Sequence, residues 1–265
     1  MKKFGFIGAG KMASAIVKGL LSQTVSSDDI VCTCGNDDTG KILAQQTSIE
    51  CLDSIKELLE KSSVVVLACK PQQLAEVAQQ ASSASNDVLV SILAGTSIAR
   101  LRECFPNVKK IVRVMPNMPA QISQGISCYA PESTLSGNEK TVVESILGAI
   151  GEFMEVQEAR LDAVTALSGS GPGYIFEIAA AMIEAGKQIG FTDEESKKLV
   201  EKTLLGSAML LAQSPLSADE LCTAVSSPGG TTLAGLAELK KVNFRETMKN
   251  VLVAAKNRSK ELSKL

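Results

Sequence analysis

Histidine is missing altogether from this chain of 265 residues. Its absence excludes Ser-His-Asp catalysis, histidine-based zinc centres and every acid–base step that relies on imidazole. Tryptophan is also absent and aromatic residues make up only 3% of the sequence, which leaves little material for stacking nucleobases. Charge of one sign is lacking too. The formal net charge is −2, with no electrostatic footprint for nucleic acid or for a membrane surface. Uninterrupted apolar runs long enough to span a bilayer, about eighteen residues, do not occur. Even the apolar stretch from Tyr174 to Ile189 contains Glu177, Glu184 and Lys187, and the apolar start after Met1-Lys2-Lys3 is broken by Lys11 and Lys18, which argues against a signal peptide. The seven cysteines are an odd number at scattered positions, giving neither a disulfide framework nor a zinc spacing. The expectation is a protein of the reducing cytoplasm with no metal site.

What is present begins at the N-terminus. Phe4-Gly5-Phe6-Ile7 runs into Gly8-Ala9-Gly10-Lys11-Met12-Ala13 and then into an alanine-rich helical pattern reaching Leu21. Strand, glycine turn and helix in this order form a dinucleotide site. Gly8 permits the tight turn, Gly10 lets a pyrophosphate come close, and Ala13 lets the helix sit against the strand. Further apolar runs at 30–34, 64–69, 88–93 and 110–115 alternate with helical patterns and predict a parallel sheet covered on both faces. In such sheets ligands lie at the carboxyl ends of the strands. That rule gathers Cys34 and Asn36, Ala68, Lys70 and Pro71, Ala94, and Asn117 around one crevice with Gly8, Ala9, Gly10, Lys11 and Met12.

Cofactor choice follows from the end of the second strand, where an acidic residue would hold the ribose 2′-hydroxyl of NAD. Thr33, Cys34, Gly35 and Asn36 offer a neutral polar surface instead, which favours NADPH, while Asp37 and Asp38 close by leave room for NADH. A dinucleotide reductase without imidazole suits a substrate that accepts hydride readily. An imine that becomes an iminium on protonation needs little beyond positioning, so C=N reduction is favoured over C=O reduction.

Beyond Glu155-Val156-Gln157-Glu158 the β-branched runs stop and alanine, leucine and glutamate dominate. The boundary is set near Arg160, giving a dinucleotide-binding domain over 1–159 and a helical domain over 160–265. Ser168-Gly169-Ser170-Gly171-Pro172 launches a long helix from Gly173 to about Gly190, and Thr192 to Glu195 has the spacing of a capping box. The long apolar faces of this half predict a partner subunit as their cover, the alternative being simple packing against the first domain. Within it, Ser226-Ser227-Pro228-Gly229-Gly230-Thr231-Thr232 packs paired glycines between hydroxyls just before an apolar helical pattern. Glycines let backbone approach a ligand, and the N–H groups opening a helix attract a carboxylate or phosphate, so this segment reads as a cradle for a small anion.

The turn Gly8-Ala9-Gly10-Lys11-Met12, the Ala68-Cys69-Lys70-Pro71 strand end, Arg113 to Pro119, Leu167 to Pro172, and Ser226 to Thr232 occur in the order seen in pyrroline-5-carboxylate reductases. The sequence resembles that family over essentially its whole length. The resemblance implies an N-terminal Rossmann-type doubly wound α/β sheet followed by a C-terminal all-α dimerisation domain, and reduction of L-1-pyrroline-5-carboxylate to L-proline with NADPH or NADH. It implies that Ser227, Gly230, Thr231 and Thr232 hold the substrate carboxylate, with Thr232 nearest the ring nitrogen and catalytic, and that the nicotinamide lies near Ala94 and Asn117. It further implies helical dimers with interlocking C-terminal domains, often assembled as decamers of five dimers, with each active site between one subunit's cofactor domain and its partner's helices. Glu158 at the junction is expected to be a solvated carboxylate, the alternative being an approach to the substrate amine. Two other readings stand beside this one: a β-hydroxyacid dehydrogenase, disfavoured because no lysine follows Pro172 until Lys187, and a dinucleotide sensor, disfavoured by the cradle.

Overall fold

The computed structural model describes residues 2–33, 37–81 and 86–263. Eight strands form one sheet: β1 Lys2–Ile7, β2 Ile30–Thr33, β3 Glu50–Leu52, β4 Ser62–Leu67, β5 Val88–Ser91, β6 Lys110–Met115, β7 Gly125–Pro131 and β8 Gly151–Glu155. Their order is β3-β2-β1-β4-β5-β6-β7-β8, so the sheet reverses its direction of growth between β1 and β4. Phe4 of β1 stands opposite Ile30 of β2 on one side and Val64 of β4 on the other, both in parallel register.

Successive side chains of a strand point to opposite faces, and here both faces are dry. Phe4 and Phe6 of β1 and Val64 and Val66 of β4 pack with Ile16 and Ile146, whereas Ile7, Val65 and Leu67 pack with Leu58, Val77 and Leu101. The first face is covered by α1 Lys11–Gln23, α2 Thr39–Thr47 and, further along the chain, α6 Gly137–Gly148; the second by α3 Ile55–Lys61, α4 Leu74–Gln80 and α5 Ile98–Cys104. Burial on both sides is why these strands read as unbroken apolar runs.

Three strands have no counterpart in the sequence pattern. β3 is only three residues long and β8 is a largely exposed edge strand, so neither carries an apolar run. β7 corrects the all-parallel expectation: it runs antiparallel to β6, pairing Met115 with Cys128 and Val112 with Pro131. The expected strand over 64–69 begins earlier, at Ser62, and ends at Leu67, leaving Ala68 to Lys70 as the loop that leads into a 3₁₀ turn over Pro71–Gln73.

The chain divides into two compact units, residues 1–170 together with 255–265, and residues 171–254. The change in sequence character near Arg160 thus precedes the division, because α7 Leu161–Val164 and a π-helical turn over Thr165–Gly169 still pack with the sheet unit. The second unit holds α8 Gly171–Gln188, α9 Asp193–Gln213, α10 Ala218–Ala224, α11 Thr231–Lys241 and most of α12 Phe244–Leu262, whose final turns belong to the first unit. α8 starts two residues earlier than expected, with Pro172 in its first turn, where a missing N–H costs nothing. It is closed by the paired bonds of a Schellman motif, Phe191 N–H to Gly186 O at 3.1 Å and Gly190 N–H to Lys187 O at 3.2 Å, with Gly190 at φ +110°. Thr192 and Glu195 then form the expected capping box of α9, with bonds of 2.9 and 3.2 Å. Among the described residues no helix is long and apolar enough to cross a membrane.

Candidate active site

The turn from β1 into α1 is built for close approach. Gly8 sits at φ +96°, and a Cβ there would lie 2.8 Å from the carbonyl oxygen of Ala68. Its N–H donates to Thr33 O at 3.2 Å while Ala68 N–H donates to Ile7 O at 2.9 Å, so the turn is pinned between the ends of β2 and β4. Gly10 precedes α1 with open space where its side chain would be, no side-chain cap on the helix, and no acidic residue in the first turn. Unclaimed amides and the positive end of the helix dipole therefore face a position free for a pyrophosphate. These residues fit a dinucleotide, because the turn at Gly8 has no room for a Cβ and the approach over Gly10 is open.

One cavity borders this turn and a second lies along the strand ends further on. One of about 350 Å³ is lined by Ala9, Gly10 and Lys11, with Lys18 of α1 and Thr39 of α2. The other, of about 720 Å³, lies over the ends of β4 and β5 and is lined by Pro71, Ala94 and Gly95. The structure thus divides the expected cofactor residues between a cationic cleft and a broader cavity. Gly8 meets the Ala68 carbonyl and neither lines either cavity, Met12 packs partly into the core, and Lys70 is exposed beside Pro71. Lys70 opens a short 3₁₀ turn by donating its backbone N–H to Gln73 Oε1 at 3.0 Å. Asn117 lines neither of these cavities, and its side-chain oxygen accepts a 3.0 Å bond from Ile126 N–H, fixing the start of β7. Cys34 and Asn36 lie outside the described residues.

Electrostatics along the crevice are mild. Asp37 accepts bonds from the hydroxyl and amide of Thr39, at 2.5 and 3.1 Å, which hold its carboxyl below the usual range. Burial pushes the Cys69 thiol up to about 11, so at neutral pH it is a protonated thiol and no nucleophile.

Glu158 is not the solvated carboxylate expected at the junction. One of its oxygens accepts from Ile98 N–H at 2.7 Å, capping α5, and from the buried Arg113 at 3.3 Å. Both bonds hold the sheet unit together, and neither is readable from sequence because the partners lie 60 and 45 residues away. The π-helical turn over Thr165–Gly169 is likewise invisible in the sequence pattern. Ser170 N–H reaches back to Thr165 O at 2.8 Å, while Thr165 and Ser168 bond through their hydroxyls to Leu161 O and Val164 O. Such turns mark functional segments, and Gly169 here abuts the Met115 side chain at the end of β6.

In the helical unit, Ser227, Gly230, Thr231 and Thr232 come together in a single turn at the start of α11. Gly230 N–H donates to Ser227 O at 2.9 Å, and the Ser227 hydroxyl occupies the space a Cβ on Gly230 would need. Gly230 gives α11 no side-chain cap, and no acidic residue stands in its first turn. The first amides of an 11-residue helix are therefore open to an anion, with the exposed Thr231 and half-buried Thr232 hydroxyls beside them.

Comparison with known proteins gives consistent findings. A family model for pyrroline-5-carboxylate reductase dimerisation matches residues 158–262, and one for NADP oxidoreductase, coenzyme F420-dependent, matches residues 3–95. The chain is 36% identical to the pyrroline-5-carboxylate reductase of Haemophilus influenzae over 269 aligned positions, covering 100% of this chain and 98% of that one. Its structure is similar to that of a pyrroline-5-carboxylate reductase from Coxiella burnetii, with TM-score 0.92, 33% identity and coverage of 100% and 99%. The Plasmodium falciparum pyrroline carboxylate reductase with NADP bound gives TM-score 0.85, 31% identity and coverage of 99% and 98%.

Proposed function

Because the chain belongs to the pyrroline-5-carboxylate reductase family, we infer that it reduces L-1-pyrroline-5-carboxylate to L-proline with NAD(P)H, the last step of proline biosynthesis. The observation that carries this reading is the pairing, in one chain, of a dinucleotide turn that only glycine fits with an uncapped, hydroxyl-flanked helix start suited to a carboxylate. When bound, the dinucleotide supplies the hydride that the imine carbon accepts. The chain's own residues position and polarise. The amides of Thr231 and Thr232, with the Ser227 hydroxyl, hold the substrate carboxylate and so fix which face of the ring is presented. The Thr232 hydroxyl stands at the ring nitrogen, orienting the imine and steadying the proton that makes it an iminium. A protonated C=N needs no imidazole acid, which accords with a chain that has no histidine.

Gly8, Ala9, Gly10, Lys11 and Met12 are assigned to the pyrophosphate, Cys34, Asn36, Ala68, Lys70 and Pro71 to the ribose side, and Ala94 and Asn117 to the nicotinamide end. NADPH is the preferred cofactor: Lys11 and Lys18 border the cleft beside Gly10, and Asp37 is occupied by Thr39. Residues 160–265 are assigned to substrate binding and dimerisation, in a cytoplasmic homodimer that assembles as a decamer of five dimers.

The test is NADPH oxidation on addition of L-pyrroline-5-carboxylate by the purified chain and by Thr232→Ala. Loss of one hydrogen bond to a reacting group lowers kcat/KM by about tenfold to a hundredfold, roughly 1.4 to 2.7 kcal/mol, with unfolding temperature and NADPH affinity unchanged. Full turnover by the alanine variant would remove Thr232 from the mechanism.

A further inference from the structure

The cavity over the ends of β4 and β5 has a wall that the sequence motifs do not include. The last turn of α12 returns to the sheet unit, where Leu262 and Ser263 line the same cavity as Pro71, Ala94 and Gly95. Leu262 Cβ lies 3.3 Å from the position a Cβ on Gly95 would take, and Gly95 is at φ +71°, so backbone and leucine meet there without an intervening side chain. Leu262 nevertheless remains 45% exposed. An apolar side chain in a cavity mouth, in contact on one flank and open on the other, is placed to be covered by something else.

The turn is held firmly. Ser259, only 5% exposed and one turn before Leu262, donates its hydroxyl to Asp162 Oδ1 of α7 at 2.7 Å. Ser263 closes the helix by bonding back to the carbonyls of Ser259 and Lys260, at 3.2 and 3.0 Å. Leu262 therefore sits on a fixed element and not on a fraying terminus.

We propose that Leu262 is a cofactor-binding residue that sets affinity for the dinucleotide, forming an apolar wall of the nicotinamide end of its site beside Ala94 and Gly95. This rests on the dinucleotide reading above, and goes beyond it by giving the C-terminal turn a share in cofactor affinity. The ligand class is a reduced pyridine dinucleotide, whose ring and ribose present apolar edges that the leucine shields from water.

The experiment is equilibrium titration of the full-length protein with NADPH alone, followed by fluorescence, for the unmodified chain, Leu262→Ser and Leu262→Met. Leu262→Ser is expected to raise the NADPH dissociation constant about tenfold, equivalent to about 1.4 kcal/mol. Leu262→Met, which keeps an apolar side chain of similar size, is expected to stay within about twofold. Kinetically the serine variant is expected to raise the KM for NADPH and leave kcat and the KM for the imine acid unchanged, a split that general loosening would not give. Because Leu262 is half-exposed, thermal unfolding without ligand should not move. Should Leu262→Ser fold poorly, Ser259→Ala supplies the second variant, since it frees the same turn and is expected to weaken NADPH binding several-fold. Equal NADPH affinity in the unmodified chain and in a folded Leu262→Ser overturns this inference and leaves the dinucleotide reading intact; no NADPH binding by the unmodified chain overturns both.

Discussion

Gly8 decides, as a single residue, whether a pyrophosphate can reach the first turn. Its φ of +96° and the 2.8 Å that would separate an added Cβ from Ala68 O mean that Gly8→Ala meets both backbone strain and a fixed carbonyl. Strain of this kind costs roughly 1 to 3 kcal/mol, and relief requires the turn to move away from β4. The expected outcome is a lowered unfolding temperature and NADPH affinity reduced more than tenfold, read by calorimetry and titration. This residue is legible in the sequence because a glycine placed between an apolar strand and a helical pattern points to a turn that needs positive φ. Glu158 shows the opposite case: its partners Ile98 and Arg113 are distant in sequence, and only the fold reveals that the carboxylate is already engaged. The strand-end rule puts Asn117 in the cofactor crevice and the family resemblance puts it near the nicotinamide, yet its side-chain oxygen is bonded to Ile126 N–H. Strand-end position therefore identifies neighbourhoods more securely than side-chain roles.

At the level of elements, the ion pair between α5 and the residue following β7 offers a pH test. Arg102 grips Glu132 through two bonds, of 3.0 and 2.5 Å, while one of its terminal nitrogens donates to the carbonyls of Phe105, Pro106 and Val108. Hydrogen bonding from Arg102 holds the Glu132 carboxyl below its ordinary value. A depressed folded-state pKa gives stability that is present above the unfolded pKa and disappears as pH falls through the folded one. Glu132→Gln is therefore expected to cost about 1 kcal/mol at neutral pH, with the gap from the unmodified chain closing between about pH 5 and pH 3. Denaturant titrations across that range check it; a gap that does not change with pH would contradict the assignment. Elements whose burial is two-sided, such as β1, β4 and β6, are legible as apolar runs. β3 and β8 are not, since one is too short and the other too exposed to carry a pattern, and the reversed direction of β7 depends on pairing that no local signal encodes.

Across the whole molecule, the helical unit leaves its apolar faces uncovered. No residue of α8, α10 or α11 is buried, and Phe176, Leu210 and Val225 are each more than half exposed. Residues 158–262 match a dimerisation family model, which supports a homo-oligomer. Sedimentation is expected to give at least twice the chain mass, and the double substitution Phe176→Glu, Leu210→Glu is expected to shift the population toward single chains with loss of turnover. Hydride delivery to an imine is tested most directly by incubating the protein with L-pyrroline-5-carboxylate and NADPH carrying deuterium at the reactive C4 position, then analysing the product by mass spectrometry and NMR. Proline with one deuterium, on the carbon that was doubly bonded to nitrogen, is the expected product; NADPH consumed without labelled proline, or no consumption at all, would contradict imine reduction by this chain.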